Sequence, residues 1–173
     1  MSDERRIPDP GFPGDDGSAD PALARALAAY DGTPARRAEA FSALVAGRLL
    51  VPVVALLGEV EVDDAGLARE KTSDMAAVLL TGADGRLALL AFTSSATLAL
   101  WDPQARPVPV AARTAALSAL QEEAAALVVD VAGPHRFVVE GDDLTAVAAG
   151  WTPARAGTTA AWLGTAPSAP ATD

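Results

Sequence analysis

The chain has 173 residues, half of them apolar, enough for one ordinary domain with a core built mainly from Leu, Val and Ala. A net charge of −10 makes nucleic acid a poor partner, because phosphate binding draws on clustered Lys and Arg. The absence of cysteine removes disulfides, thiolate metal sites and thiol catalysis together, and no stretch approaches the roughly 20 uninterrupted apolar residues that span a membrane.

The N-terminus, MSDERRIPDPGFPGDD, lacks the apolar centre of a secretory signal, and with the missing cysteine it fits a cytoplasmic location. Residues 1–19 combine prolines, glycines and acids with little apolar content, so a disordered acidic tail is expected there. Asp20-Pro21 then starts a helix, with Asp20 as cap and Pro21 at the first position. Leu23, Leu27 and Tyr30 give that helix an apolar stripe. Thr33-Pro34 repeats the start signal for a second helix running to Ala46, with Phe41, Leu44 and Val45 facing inward. The resulting helical hairpin, 20–46, either packs on the core or leaves its stripe exposed to dock a partner. A core over 48–150 follows, within a domain of about 20–151.

Arg48 to Leu57 is the first strand. Pro52 cannot donate a ladder hydrogen bond, which predicts an edge position or a bulge. Gly58 to Asp74 is a polar connection carrying Glu59, Glu61, Asp63, Asp64 and the single lysine, Lys71. Its acids do not match an oxygen-ligand calcium loop and read as a solvated cluster. Met75 to Leu80 is an apolar run too short for a typical helix, so a buried strand is expected. Thr81 to Arg86 supplies the glycines of a tight hairpin, and Leu87 to Phe92 returns antiparallel. One hydroxyl of Thr93-Ser94-Ser95 is expected to cap the next helix, with Leu98 and Trp101 on one face. Asp102-Pro103 stops it.

Pro107-Val108-Pro109-Val110 is extended by the restriction of proline φ and suits a short edge strand. Ala111 to Ala126 reads as a helix with Leu117, Leu120 and Ala124 at core spacing. Leu127 to Ala132 is a strand, Gly133-Pro134 turns it, and Arg136 to Glu140 returns with Phe137 and Val139 on one face. Gly141-Asp142 opens a last helix to Ala149, ended by Gly150, with Trp151 folding back on its apolar face. From Thr152 the composition of Ala, Thr, Gly, Ser and Pro predicts a mostly disordered tail, 152–173, with Trp162-Leu163 as its apolar anchor.

The chemistry signals are few. His135 is the single histidine, set in a turn, and no Gly-x-Ser-x-Gly elbow accompanies it. One histidine and no cysteine leave a catalytic zinc site short of ligands, and no phosphate-cradling glycine motif is present. No cofactor, metal or catalytic set is therefore expected. A polar patch at one end of the sheet is the remaining candidate: Lys71, Asp74, Arg86 and Arg106, with Thr93 and Ser94 at a helix start that favours anions. Arg106 is the leading residue among them, since it stands between two ordered elements before a stiff Pro-Val-Pro. Ion pairs that anchor loops account for the same charges.

The phrases EKTSDMA at 70–76, DGRLALLAFTS at 84–94, LW at 100–101, ARPVPV at 105–110 and DVAGPHRFVVEG at 130–141 resemble the N-terminal domain of the SseB family, in the form found as small actinobacterial proteins. The resemblance covers about 48–150. It implies an α+β domain without an assigned reaction. The expected fold is one α+β domain with a mostly antiparallel sheet of about five strands and helices mainly on one face. The expected role is a non-enzymatic cytoplasmic interaction or regulatory module with a protein partner and no nucleic acid or membrane. The alternative is a small-anion or metabolite site formed by the 93–95 helix start and Arg106.

Overall fold

Two prolines set the entry into the fold. The computed structural model describes residues 11–56, 61–62, 68–69, 74–156 and 159–164. Helix α1 (Pro21–Ala28) is capped by the Asp20 carboxylate, which accepts from the N–H groups of Ala22 and Leu23 at 2.8 and 3.0 Å. Helix α2 (Pro34–Ala46) is capped by the Thr33 hydroxyl, which accepts from the Arg36 N–H. Leu23, Leu27, Phe41 and Leu44 are all buried in the main core. The hairpin thus packs on the core, and its Leu23–Leu27 stripe is not a docking face.

Strands β1 (Arg48–Leu56), β2 (Glu61–Val62), β3 (Ala68–Arg69), β4 (Asp74–Ala77), β5 (Leu79–Thr81) and β6 (Leu87–Ala91) come next. They are followed by α3 (Ser95–Trp101), β7 (Arg106–Ala111), α4 (Ala112–Gln121), β8 (Ala126–Val129), β9 (Phe137–Glu140) and α5 (Gly141–Ala149). A hairpin of β10 (Thr152–Ala156) and β11 (Thr159–Leu163) closes the described chain. One sheet has the order β4-β1-β7, a second the order β5-β6-β8-β9, and β2 pairs with β3 alone. The pairs are antiparallel except β6 and β8, which run parallel across the α3–β7–α4 crossover. Leu50 and Phe92 exchange two 2.8 Å backbone bonds that stitch the larger sheets together. The protein is an α+β fold.

The run from Met75 to Leu80, expected as one strand, is divided at Val78. Its first part pairs with β1 and its second with β6. Val78 makes the transfer itself, donating to the Pro52 carbonyl and accepting from the Leu90 N–H. Pro52 also departs from expectation, since β1 is the central strand of its sheet. The reason lies in the alternation of backbone direction. Leu50 bonds Phe92, so residues 50 and 52 face β6 and the Val78 break, while Leu49, Val51 and Val53 face β7. The missing N–H of Pro52 therefore falls outside the β1–β7 ladder. On β7 the partners Val110, Val108 and Arg106 turn toward β1, which leaves the ring nitrogens of Pro107 and Pro109 on the outer edge.

The core lies mainly under one face of the sheets. Leu89, Leu127, Val129, Phe137 and Val139 meet Phe41, Leu44, Leu144 and Val147 there. A smaller cluster of Leu50, Leu90, Phe92 and Leu98 sits on the other face, beneath α3, with the Trp101 ring 5.6 Å from Phe92. Helix α4 corrects a reading of periodicity. It ends at Gln121, and Leu117 and Leu120 stay 39% and 41% exposed while Ala112, Ala115, Ala116 and Ala119 are buried. A face of alanines lets α4 lie close against α5, and only Ala124, beyond the helix, reaches the core as expected.

Both chain ends extend the fold past 20–151. The Arg48 guanidinium pairs with Asp15 and donates to the Ser18 carbonyl at 2.6 Å, and the Gly17 carbonyl accepts from the Ser95 N–H at 2.8 Å. Residues 11–19 are thus docked on the body rather than free. At the other end Trp162 sits 5.0 Å from the Phe41 ring, and its indole N–H donates to Asp143 at 2.7 Å. Aromatic packing and that bond hold the β10–β11 hairpin where a disordered tail was expected. Trp151 lies against Gly164 and stays 41% exposed.

Candidate functional site

The parallel strands β6 and β8 carry both regions with functional potential, one at each end. At their C-terminal ends is the Thr93–Ser95 junction. Ser94 caps α3 in a reciprocal box: its hydroxyl accepts from the Thr97 N–H at 3.1 Å, and the Thr97 hydroxyl accepts from the Ser94 N–H at 3.2 Å. Thr93 donates its N–H to one oxygen of Asp130 at 2.9 Å and its hydroxyl to the other at 2.7 Å. The Thr93 carbonyl accepts from Arg48 at 2.6 Å. Asp130 is 4% exposed, at the end of β8, with φ +53°. Asp tolerates that left-handed backbone better than most residues. A pocket of about 140 Å³ lies beside these groups, lined in part by Leu27, Asp130, Pro134 and His135.

This junction is internally satisfied. Among the described residues no buried side-chain nitrogen or oxygen lacks a partner. The Ser95 N–H, which an anion at the helix start would need, is taken by the Gly17 carbonyl. Arg106 does not join Thr93 and Ser94. It stands opposite Val53, five residues along β1 from Arg48, a separation of about 17 Å at the rise of a strand. The arginine at the helix start is Arg48. Its closeness to Thr93 is a property of strand order, so spacing along the chain pointed to Arg106 instead. Asp74 begins β4 opposite Leu56, still further from the junction. Lys71 and most of the acidic connection lie outside the described residues. Asp130 carries a sequence signal, a carboxylate ending the apolar run ALVV.

Arg86 belongs to the opposite end of the strands. It sits in the β5–β6 turn, 2.6 Å from Asp84 and 3.5 Å from Glu140. Hydrogen bonding to Arg86 holds the Asp84 carboxyl below its usual range. Here the sheet face is open. Helix α3 has only seven residues and roofs Leu90 and Phe92 but not the strand starts. Leu80, Ala88, Ala126, Val128 and Val138 are left lining a groove of about 550 Å³, with Asp84, Arg86, Arg136 and Glu140 among its rim. Leu80 is 41% and Val138 36% exposed. Arg86 is neutralised by its two carboxylates, whereas Arg136 has no carboxylate partner among the described residues.

No group of His, Asp and Glu among the described residues is arranged to hold a metal ion, and no described helix is long and apolar enough to cross a membrane. The family description "SseB protein N-terminal domain" matches residues 23–146. Comparison with curated proteins and with solved structures finds no match.

Proposed function

This chain belongs to the SseB family, and on that premise we propose that it is a non-enzymatic interaction or regulatory module of the cytoplasm. The observation that carries the reading is the uncovered apolar face at the start of β6 and β8, in a protein whose described buried polar side chains all have partners. Apolar sheet faces are normally covered, and a contiguous exposed patch rimmed by charge is a common form of docking surface. The occupant that fits is an extended aliphatic segment of a protein chain carrying a carboxylate to meet Arg136. A small anion at the 93–95 helix start has less in its favour, since Gly17 occupies the Ser95 N–H and Arg106 stands on another part of the sheet.

The test compares the full chain with two variants, Leu80→Glu in the groove and Leu117→Glu on the exposed side of α4. A purified partner should bind the parent and Leu117→Glu alike and lose affinity for Leu80→Glu. A metabolite that raises the melting temperature of the parent and fails to do so in a Thr93→Val variant would overturn the reading in favour of a ligand site.

A further inference from the structure

The outer edge of β9 borders the open groove, and its backbone direction follows from bonds already described. The N–H of Leu90 goes to Val78 and that of Phe92 to Leu50, so the even-numbered residues of β6 face away from β8. The Asp130 N–H donates to the Ala91 carbonyl, which turns the even-numbered residues of β8 toward β6. Leu127 and Val129 then face β9 and bond their register partners Val139 and Phe137. What remains is the N–H and C=O of Val138, pointing out of the sheet, with no other described backbone group against them.

Edges of this kind are usually blunted by proline, lysine or a bulge. Strand β7 follows that rule with Pro107 and Pro109 on its outer side. Strand β9 has none of these. Its groove-facing residues instead read Arg136, Val138, Glu140: a cation, an aliphatic centre and an anion, symmetric in position and opposite in charge. This pattern complements itself when reversed.

We infer that the segment received by this edge is β9 of a second copy, paired antiparallel about a two-fold axis through Val138. The inference rests on the interaction-module reading and adds a partner at the edge that borders the groove. The N–H of each Val138 donates to the C=O of the other. The N–H of each Glu140 donates to the C=O of Arg136 in the second copy. On the groove side Arg136 of each copy stands opposite Glu140 of the other, which gives the unpartnered arginine its carboxylate. Such an interface is isologous: each contact occurs twice. Glu140 is free to turn this way because Arg86 keeps the closer Asp84. The two four-stranded sheets become one, and their open grooves join across Val138.

Sedimentation of the full chain over a concentration series tests this. The parent should approach twice the 17.5 kDa chain mass at high concentration. Val138→Pro removes only the outward N–H, a substitution that edge strands tolerate. It should stay at the chain mass with unchanged circular dichroism. Glu140→Arg should also be monomeric, by placing like charges opposite each other. The double variant Arg136→Glu with Glu140→Arg should recover the dimer, an outcome that mere misfolding of the single variants does not produce. A parent that stays monomeric throughout, or a dimer that survives Val138→Pro, overturns the inference. A monomeric parent that still binds a different protein through Leu80 overturns the self-pairing alone and leaves the interaction-module reading standing.

Discussion

Strands β6 and β8 run from an open end to a closed one. At the open end, Ala88 and Ala126 face a groove that no helix covers. At the closed end, Thr93 and Asp130 bond each other directly and Arg48 and Ser94 complete the shell. The same two strands thus carry an internally saturated junction and an unsatisfied face. The difference teaches where to look for function in a fold without a catalytic set. Polar residues gathered at strand ends look like a site in the sequence, yet here they hold the fold together. The apolar residues look like core, yet they are the groups left without a partner.

If that contrast is right, truncations should be severe at the closed end and mild at the open end. Phe92→Ala empties a fully buried position between the two sheets and should cost about 3–5 kcal/mol by urea denaturation. Leu80→Ala, in the groove, should change stability by about 0.5 kcal/mol or less, as exposed positions do. Equal losses at both positions would mean that the groove is filled in the isolated protein.

Asp130→Ala should be of comparable size, about 2–6 kcal/mol for two stranded groups. It strands the N–H and hydroxyl of Thr93 in a buried setting, and each unpaired group costs roughly 1–3 kcal/mol. It also places alanine at φ +53°. Asp130→Gly should therefore be the milder variant, by about 1 kcal/mol, although it loses the same two bonds. A ranking with glycine worse than alanine would show that the backbone there relaxes on mutation. Trp162→Ala should follow, at about 1–3 kcal/mol, by removing the ring from Phe41 and the bond to Asp143. No loss would mean that the β10–β11 hairpin contributes nothing to the body.

Much of the frame was legible because local rules dominate it. Asp20-Pro21, Thr33-Pro34 and Ser94 start their helices as the caps dictate, and the φ of +74° at Gly150 ends α5. Phe137 and Val139 alternate inward as a half-buried strand requires. The misreadings came from tertiary choices that local pattern does not encode. Alanine and leucine stripes coexist on α4, and only the closeness of α5 selects the alanines. Pro52 reads as an edge until Phe92 and Val78 are known to lie beside it. Composition made both ends look like tails, but Arg48 with the Ser95 N–H docks one and Trp162 docks the other. The candidate residues divided for the same reason. Thr93 and Ser94 are neighbours by sequence, whereas Arg86 and Arg106 were grouped with them by proximity along the chain and belong to other parts of the sheets.

The smallest expected effect concerns the strap of residues 11–19 over the closed end. The hydrogen bond from Arg48 holds the Asp15 carboxyl below the ordinary aspartate range, against a smaller opposing effect of burial. A carboxylate depressed in the folded state stabilises it fully above the unfolded-state value. That contribution disappears as pH falls through the depressed folded value, so the strap should hold at neutral pH and loosen only in acid below about pH 4. The contribution should be about 1 kcal/mol, the upper range of surface ion pairs. The amide resonance of Ser95 reports it directly, because its acceptor is the Gly17 carbonyl within the strap. In the parent that resonance should move on acidification. In Asp15→Asn it should already sit near its acid position at neutral pH and move little further. A Ser95 resonance that titrates identically in both proteins would show that Gly17 is held by the Arg48–Ser18 bond alone, and that the closed end owes nothing to Asp15.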